Sequence, residues 1–295
     1  MSNYIISGCS TADISAKHFE KRDIRYVCFH YMLDGVEYMD DLGKSMPIEQ
    51  FYEAMQNGAE TKTSQVTNGE FVEYFTKLLE EGKDIIHLCL SSGISGTYNS
   101  ACVARDMVLE QYPDRKIYVV DSLAASAGAG LLLDKMADLR DAGYTIDELY
   151  QWVEENKLRL HHWFYSTDLT FFVKGGRVSK VSGWFGTILQ ICPLLNVDVN
   201  GKLVPREKIR TKQKVMTAIV KKMEALADGG ENYAEKCFIS HAGRYNEAKE
   251  IAEAIQEKFP HLNGKVVINN IGTTIGSHTG PGTVALFFWG AKRED

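Results

Sequence analysis

The highest local density of hydroxyl side chains in the sequence lies in residues 90–99, which read LSSGISGTYN. A continuous apolar run over 84–90 precedes this segment and a helix-period pattern follows it, so it joins a predicted strand to a predicted helix. In open α/β sheets, ligands bind at the carboxyl ends of the strands. The hydroxyls of Ser92, Ser95 and Thr97 and the unpaired N–H groups of a helix start suit an anion such as phosphate or carboxylate. Helix capping alone accounts for one hydroxyl, so we predict a ligand site here.

Two enzymatic interpretations of this loop have weaker support in the sequence. The nucleophile elbow of serine hydrolases is Gly-x-Ser-x-Gly, whereas Ser95 is followed by Gly96 and then by Thr97, where the second glycine belongs. A nucleotide P-loop needs Gly-Lys-Ser/Thr after a four-residue gap, and the loop has no lysine. A Ser/His esterase or acyl-transferase that uses Ser95 and His278, and a phosphotransfer protein with the same anion site, remain alternatives.

Two other segments combine polar side chains with constrained backbone. Residues 61–65 (TKTSQ) lie between two predicted helices and read as an unremarkable loop by themselves. Residues 271–282 (IGTTIGSHTGPG) carry closely spaced glycines, which predict a rigid turn around His278. A lone loop histidine serves structural and functional uses alike. His161 and His162 are neighbours on a predicted strand and therefore point to opposite faces, which argues against a shared metal site.

Basic residues concentrate at two places in an otherwise acidic chain. The first is the segment 174–177 (KGGR) with Lys180, and the second comprises Arg206, Lys208, Arg210 and Lys212. Such residues form either a docking face for a partner or phosphate, or an ordinary solvated surface.

The elements that position these residues change character near residues 155–165. Up to about 150, short β-rich runs alternate with helix-period segments, which predicts a parallel, doubly-wound-like sheet with helices on both faces. Capping boxes begin helices at Thr67 and Thr145. The predicted strands are 4–7, 26–31, 84–90 and 116–120, and the predicted helices include 46–57, 71–81, 99–112 and 125–142.

The second half is predicted to be an α+β unit with a largely antiparallel or mixed sheet. Residues 197–204 (VDVNGKLV) have the pattern of a hairpin with a two-residue Asn-Gly turn. The other predicted strands are 160–165, 237–240, 266–271 and 284–289, and the predicted helices are 212–227 and 246–259. We therefore predict two domains, an α/β domain over 1–160 and an α+β domain over 161–295.

Composition limits the classes of partner. The 295 residues carry 33 Lys+Arg and 39 Asp+Glu, a net charge of −6, and 44% of them are hydrophobic. A nucleic-acid-binding or membrane-surface protein needs a dense positive face, so neither partner is expected. The six cysteines include no Cys-x-x-Cys pair and mostly lie in apolar runs, which indicates reduced core thiols. No apolar stretch reaches the roughly 18 residues of a membrane span and no signal sequence is recognisable, so we expect a cytoplasmic protein without integral membrane association.

Five motifs, taken in order along the chain, resemble the DegV family. They are residues 63–65 (TSQ), 91–97 (SSGISGT), 120–122 (VDS), 174–179 (KGGRVS) and 275–282 (IGSHTGPG). The resemblance spans nearly the whole chain, and five ordered motifs are far more specific than any one of them. The chain departs from many relatives at Val66, where they have Pro, at Cys9, where they have Asp, and at Cys192, where they have Lys.

The resemblance implies a bacterial two-domain protein that holds one long-chain fatty acid in a tunnel between its domains. It also implies a partner, a separate fatty acid kinase that phosphorylates the presented carboxylate to an acyl phosphate for phospholipid synthesis. The chain itself would then be a non-catalytic carrier without metal or cofactor.

The family's site residues carry over onto matching positions of this sequence. The carboxylate-binding positions fall on Thr63, Ser64, Ser95, Gly96 and His278. The supporting loop positions fall on Ser92, Thr97, Gly276 and Gly280, and the kinase-facing positions on Arg177, Arg206, Lys208 and Arg210.

Overall fold

The computed structural model describes residues 3–178 and 191–294, and this part of the chain contains thirteen strands and ten α-helices. The strands are β1 (Tyr4–Cys9), β2 (Ile24–Val27), β3 (His30–Leu33), β4 (Val36–Met39), β5 (Thr61–Ser64), β6 (Asp84–Cys89), β7 (Ile117–Asp121), β8 (Leu160–Ser166), β9 (Ile191–Val197), β10 (Leu203–Arg210), β11 (Phe238–His241), β12 (Val267–Asn270) and β13 (Thr283–Trp289). The helices are α1 (Ala16–Lys21), α2 (Ile48–Gln56), α3 (Asn68–Leu79), α4 (Thr97–Gln111), α5 (Ala127–Asp141), α6 (Ile146–Asn156), α7 (Thr170–Gly175), α8 (Lys212–Leu226), α9 (Tyr245–Lys258) and α10 (Thr273–Thr279).

The first half of the chain builds a four-stranded parallel sheet in the order β2-β1-β6-β7. Side chains along its strands point alternately into two hydrophobic cores. Ile6, Ile86 and Val120 belong to the core that contains residues of α5 and α6, whereas Ile5 and Ile85 belong to the one that contains residues of α3 and α4. The predicted parallel sheet with helices on both faces is therefore confirmed. Both predicted capping boxes, Thr67 with Glu70 and Thr145 with Glu148, are present.

The second half builds a six-stranded mixed sheet in the order β10-β9-β8-β13-β11-β12. Among the five strand pairs in the described part of this sheet, β11–β12 is parallel and the others are antiparallel, as the antiparallel or mixed prediction allows. Helix α5 contacts β1 of the first sheet and β8, β11 and β13 of the second, so it joins the two sheets. Gly128 and Gly130 on this helix permit close packing, because a Cβ at Gly128 would collide with His162 and one at Gly130 would meet Ile14.

A third, three-stranded antiparallel sheet in the order β4-β3-β5 is absent from the sequence-based prediction. The single strand predicted over 26–31 is wrong, because it is two strands in two sheets. Strand β2 stops pairing with β1 at Val27, and the chain turns through Cys28 and Phe29 before β3 begins. The Phe29 N–H donates to Ser10 Oγ at 3.1 Å at this break. An apolar run of this length does not reveal a change of partner.

The hairpin of β9 and β10 is confirmed as antiparallel, but its predicted two-residue turn is wrong. The last strand pair is Val197 with Leu203, so residues 198–202 form the turn. Asp198 organises it, since its Oδ1 accepts hydrogen bonds from the N–H groups of Asn200 (2.9 Å) and Lys202 (2.8 Å). An aspartate that bonds to nearby N–H groups favours the wider turn over an Asn-Gly type I′ turn.

The cysteines are free, and four of the six are buried. His161 and His162 point to opposite faces of the six-stranded sheet, as predicted: His161 stacks on Phe288, and His162 meets Phe287 edge to face. Within residues 3–178 and 191–294, no helix combines the length and hydropathy that crossing a bilayer requires.

Candidate functional site

A cavity of about 470 Å³ lies between one face of the six-stranded sheet and the loops at the carboxyl ends of β6 and β7. Residues from both halves of the chain line it, from Phe29 to Phe287. Its volume is within the range of pockets that enclose small organic ligands. The loop at the end of β6 is the one in which the sequence predicts a ligand site.

One side of the cavity, which we call the sheet wall, consists of alternate residues of two paired strands. The sheet wall comprises His162 and Phe164 of β8 and Thr283, Ala285 and Phe287 of β13. Ala285 pairs with Phe164, and Phe287 pairs with His162. Because side chains alternate along a strand, their neighbours lie on the opposite face of the sheet. The sheet wall is therefore a largely apolar surface.

The opposite side is formed by loops of the first half. Leu90 and Ile94 come from the loop between β6 and α4, and Ala125 and Ser126 from the loop between β7 and α5. The Ser126 hydroxyl is used within the protein, because it bonds to Asp13 and lies 3.0 Å from Ser240 Oγ. This side is thus mainly apolar toward the cavity as well.

Polar groups gather at one end of the cavity, which we call the polar end. All five sequence-predicted carboxylate positions line it: Thr63, Ser64, Ser95, Gly96 and His278. Thr63 Oγ1 lies 2.7 Å from His278 Nε2, although the two residues are 215 positions apart in the chain. Tertiary packing therefore joins the TSQ and HTGPG motifs.

The local structure around both residues differs from the sequence-based expectation. Thr63 lies on strand β5, where it pairs with Tyr31, and not in an unremarkable loop. His278 lies in helix α10 and not in a rigid turn. The glycines serve close packing of that helix: Gly276 is against Tyr52 and Phe51. A run of small residues is compatible with a buried helix that must approach its neighbours closely.

The electrostatics of His278 favour its neutral form. Burial, and secondarily the positive charge of Arg177, lower the pKa of His278 to about 4. Its Nδ1 has no hydrogen-bond partner among the described residues. Gly175 provides the space for the ring, since a Cβ there would lie 2.7 Å from Nδ1. A neutral imidazole has one donor and one acceptor nitrogen.

Two buried carboxyl groups, which the sequence analysis does not identify, hold the start of helix α10. Asp13 Oδ1 accepts the Gly272 N–H at 2.9 Å, and Asp40 Oδ1 accepts the Thr273 hydroxyl at 2.9 Å. Burial raises the pKa of both aspartates. Asp13 also has a left-handed backbone (φ 47°). Nothing local marks either residue, because their partners come from the other end of the chain.

The Ser95 loop is connected to the TSQ strand. A Cβ at Gly96 would lie 2.8 Å from Gln65 Oε1, and Gln65 Nε2 donates to Ser100 Oγ at 2.9 Å. Ser95 Oγ accepts the N–H of Thr97, the first residue of α4, at 3.2 Å. A nucleophilic serine needs a hydrogen bond to its base. The imidazole of His278 is paired with Thr63 instead of Ser95, which argues against the Ser95–His278 hydrolase.

The predicted supporting residues lie around the polar end without lining the cavity in the described part of the chain. Ser92 is exposed, and its N–H donates to Asp121 Oδ1 at 3.0 Å. Thr97 is fully buried. Gly280 has φ +70° and packs against Phe171. Of the three hydroxyls predicted to cradle an anion, only Ser95 therefore reaches the cavity.

The two basic groups lie at different places. Arg177 lines the cavity and also a second depression of about 440 Å³ outside the polar end, which we call the outer depression. The outer depression is lined by Lys62, Thr63, Lys174, Arg177 and His278 among others. Arg206, Lys208 and Arg210 are exposed on the edge strand β10, where exposure alternates along the strand. Ser179 of the fourth motif, Lys180 and the residues that follow up to 190 are outside the described residues.

His162 lies on the cavity wall but is not among the site residues predicted from the sequence. His162 is only 2% exposed, and neither ring nitrogen has a hydrogen-bond partner among the described residues. The period-two pattern of the strand indicates that one of the two adjacent histidines faces inward, but not that a cavity lies there. Within the described ranges, no group of three or more His, Cys, Asp or Glu side chains is arranged to hold a metal ion.

Comparison with known proteins agrees with this architecture over the full chain. The DegV family model, described as "uncharacterised protein, DegV family", matches residues 9–290. A DegV domain-containing protein of Clostridium perfringens is 37% identical over 295 residues, which covers all of both chains. A Thermotoga maritima structure, reported to reveal fatty acid binding function, has 29% identity and a TM-score of 0.82 over 98% of this chain and 100% of that one. The structure of DegV from Bacillus subtilis, described as a fatty acid binding protein, has 28% identity and a TM-score of 0.83 over 97% and 99% of the two chains. The chain therefore belongs to the DegV family.

Proposed function

We propose that this protein binds one long-chain fatty acid, with the carboxylate at the polar end and the tail along the sheet wall. The observation that carries the proposal is a cavity of about 470 Å³ whose walls are mainly apolar and which has Thr63, Ser95 and His278 together at one end. The Thermotoga maritima and Bacillus subtilis structures, both described as fatty-acid-binding, support it. The ligand would then lie between the two predicted domains, 1–160 and 161–295.

The tail and the carboxylate head of the fatty acid contribute differently to the free energy of binding. At about 0.8 kcal/mol per buried CH₂, a tail of about 16 carbons contributes on the order of 10 kcal/mol before ordering costs. A carboxylate buried without donors would cost several kcal/mol or become protonated. Thr63, Ser95 and His278 provide the donors at the polar end. The tail therefore dominates affinity and these side chains set the position of the head.

We further propose that the protein is a non-catalytic, cytoplasmic carrier that presents this carboxylate to a separate fatty acid kinase. Thr63, His278 and Arg177 line both the cavity and the outer depression, so a carboxylate at the polar end lies next to a surface from which a partner can approach. The basic residues Lys62, Lys174 and Arg177 outnumber the one acidic residue of this lining, Glu60, so the surface is basic. A basic surface suits the phosphates of a nucleotide held by the kinase. Arg206, Lys208 and Arg210 on β10 are proposed to contact the kinase at a distance from the cavity.

Lipid mass spectrometry tests ligand binding directly. The purified protein is denatured and extracted, and we expect close to one fatty acid per chain. Protein that contains no lipid, and that remains lipid-free after incubation with oleate or palmitate, would contradict the proposal. Formation of acyl phosphate on addition of a fatty acid kinase and ATP tests the carrier role separately.

A further inference from the structure

Ser91 lies in the loop between β6 and α4, the Ser95 loop, but has no part in the site as described so far. It is fully buried and does not line the described cavity wall. Its carbonyl accepts hydrogen bonds from the N–H groups of Ile94 (3.2 Å) and Ser95 (3.1 Å), and its own N–H donates to the Ala124 carbonyl at 3.0 Å. The backbone of Ser91 therefore fixes where Ser95 lies relative to the loop between β7 and α5.

The side chain of Ser91 connects the Ser95 loop to the second half of the chain. Its hydroxyl donates to the Gly201 carbonyl at 2.9 Å and accepts the Gly93 N–H at 3.1 Å. Gly201 belongs to the 198–202 turn, so one hydroxyl joins loops from the two predicted domains. Without this hydroxyl, a buried carbonyl of the turn and an N–H of the Ser95 loop would each lose a hydrogen-bond partner.

The backbones of the turn and the Ser95 loop approach so closely that neither leaves room for a side chain. A Cβ at Gly93 would collide with the Asn200 carbonyl oxygen, and one at Gly201 would collide with the Ser91 hydroxyl. Gly201 also has φ +70°, a backbone conformation that favours glycine. Because the two backbones are in direct contact, a shift of the turn must also move the Ser95 loop.

The turn is anchored from its other side as well. Arg293 is buried and donates to the carbonyls of Val197 (3.1 Å), Asp198 (2.9 Å) and Leu123 (3.0 Å). Val197 and Leu203, which pair on either side of the turn, line the cavity. The turn is therefore held against the loops that follow β6 and β7, at the edge of the cavity.

We propose that Ser91 is a positioning residue for carboxylate recognition, because its bond to Gly201 uses the second half of the chain to hold Ser95 at the polar end. This inference rests on the proposed function and adds that the carboxylate site is complete only when the 198–202 turn is seated on the Ser95 loop. Since Ser91 does not line the described cavity wall, its loss should weaken binding of the head and leave binding of the tail unchanged.

Two ligands with tails of equal length, palmitate and 1-hexadecanol, separate these effects. Each displaces a fluorescent fatty acid from the protein, and the ratio of their dissociation constants measures carboxylate recognition. We expect Ser91→Ala to reduce the preference for palmitate by about tenfold, the ratio that corresponds to one hydrogen bond, while hexadecanol binds as it does to wild type. Ser91→Cys keeps a weaker donor and should give an intermediate ratio.

Ser122→Ala is the matched control. Ser122 is also fully buried, and its hydroxyl also bonds to backbone, but within its own loop: it donates to the Ala124 carbonyl and accepts the Ala124 N–H. This variant should keep the wild-type ratio of dissociation constants. An unchanged ratio in Ser91→Ala, or an equal loss of preference in Ser122→Ala, would overturn the inference.

The same measurements distinguish failure of the inference from failure of the proposed function. If neither ligand displaces the probe from wild type, or if both bind equally, the proposed binding of a fatty acid carboxylate fails. If wild type prefers palmitate and Ser91→Ala retains that preference in full, only the inference fails. Thermal denaturation identifies a variant that does not fold. If Ser91→Ala is such a variant, the ratio of Ser91→Cys against that of wild type decides in the same way.

Discussion

At the scale of single residues, His278 combines three properties that suit a carboxylate-binding group. It is half-buried, its Nε2 lies 2.7 Å from Thr63 Oγ1, and its Nδ1 is unpaired among the described residues. Its pKa is lowered to about 4, first by burial and then by Arg177. The pKa of such an imidazole rises strongly when a negative charge is placed beside it.

We predict that fatty acid binding raises the pKa of His278. In the free protein the ring is neutral above about pH 4, and a bound carboxylate favours the protonated form because opposite charges attract. An NMR titration of the imidazole with and without ligand measures the change, and His278→Gln identifies the signal. A free-protein pKa close to the ordinary 6.5, or no upward shift on binding, would contradict the assignment.

Ser95→Ala should reduce the stabilisation of the carboxylate by about 1–3 kcal/mol, the scale of losing a hydrogen bond to a charged group. It should reduce phosphorylation more than lipid content, because the tail carries most of the affinity. Ser92→Ala is the matched control, since Ser92 lies in the same loop but is exposed and away from the described cavity wall. Unchanged kinase turnover in Ser95→Ala, measured as acyl phosphate formed, would argue against this role.

At the scale of secondary structure, the position of helix α10 depends on the buried carboxyl groups of Asp13 and Asp40. These groups bond to Gly272 and Thr273 at the start of the helix. Helix α7 covers the other side, where Gly175 leaves room for the ring of His278. A short helix thus receives its orientation from long-range partners.

The raised pKa of Asp13 predicts how stability depends on pH. An unfolded aspartate titrates near 3.8, whereas the buried group keeps its proton to higher pH. The folded chain therefore binds more protons than the unfolded chain above about pH 4, and this group lowers the free energy of unfolding as pH rises. Asp13→Asn keeps a carbonyl that accepts from the Gly272 N–H and an amide that can bond to Ser126. The free energy of unfolding of this variant should therefore depend less on pH.

Denaturant unfolding at several pH values between about 4 and 7 measures this slope. Glu37→Gln is the control, because it makes the same carboxyl-to-amide change at an exposed position on strand β4. If wild type and Asp13→Asn have the same slope of unfolding free energy against pH, Asp13 is ionised in the folded protein and the prediction is wrong.

At the scale of the whole molecule, charge is distributed unevenly. The chain carries a net charge of −6, yet the outer depression and the edge strand β10 present basic side chains. Complementary charge increases the rate of association with a partner more than it increases affinity. This distribution fits a carrier that meets a specific kinase.

Arg210→Glu should slow phosphorylation of the bound fatty acid by about tenfold at low salt while the lipid content stays the same, because Arg210 is exposed and outside the described cavity wall. The difference from wild type should shrink as ionic strength rises. Arg177→Glu places a negative charge beside His278 and should affect both lipid content and phosphorylation. Phosphorylation rates that are equal for wild type and Arg210→Glu at every salt concentration would exclude β10 from the kinase interface.

Local signals account for what sequence analysis predicted correctly. The capping boxes at Thr67 and Thr145 involve residues three positions apart, the strand over Asp84–Cys89 is mainly apolar, and the strand over Leu160–Ser166 is rich in aromatic residues. Such features depend on neighbours in the chain, so one sequence suffices to recognise them. The ordered motifs likewise identified the DegV family.

The sequence by itself therefore determined the two kinds of sheet, the two helix starts with capping boxes and the family. Only the tertiary structure decided that Thr63 lies on a strand, that His278 lies in a helix, and that the two meet across 215 positions. It also placed His162 on the cavity wall, where its ring nitrogens have no hydrogen-bond partner within residues 3–178 and 191–294. The physical reason is the range of the interactions: propensity and capping act within a few residues, whereas cavities and buried hydrogen bonds arise where distant segments pack together.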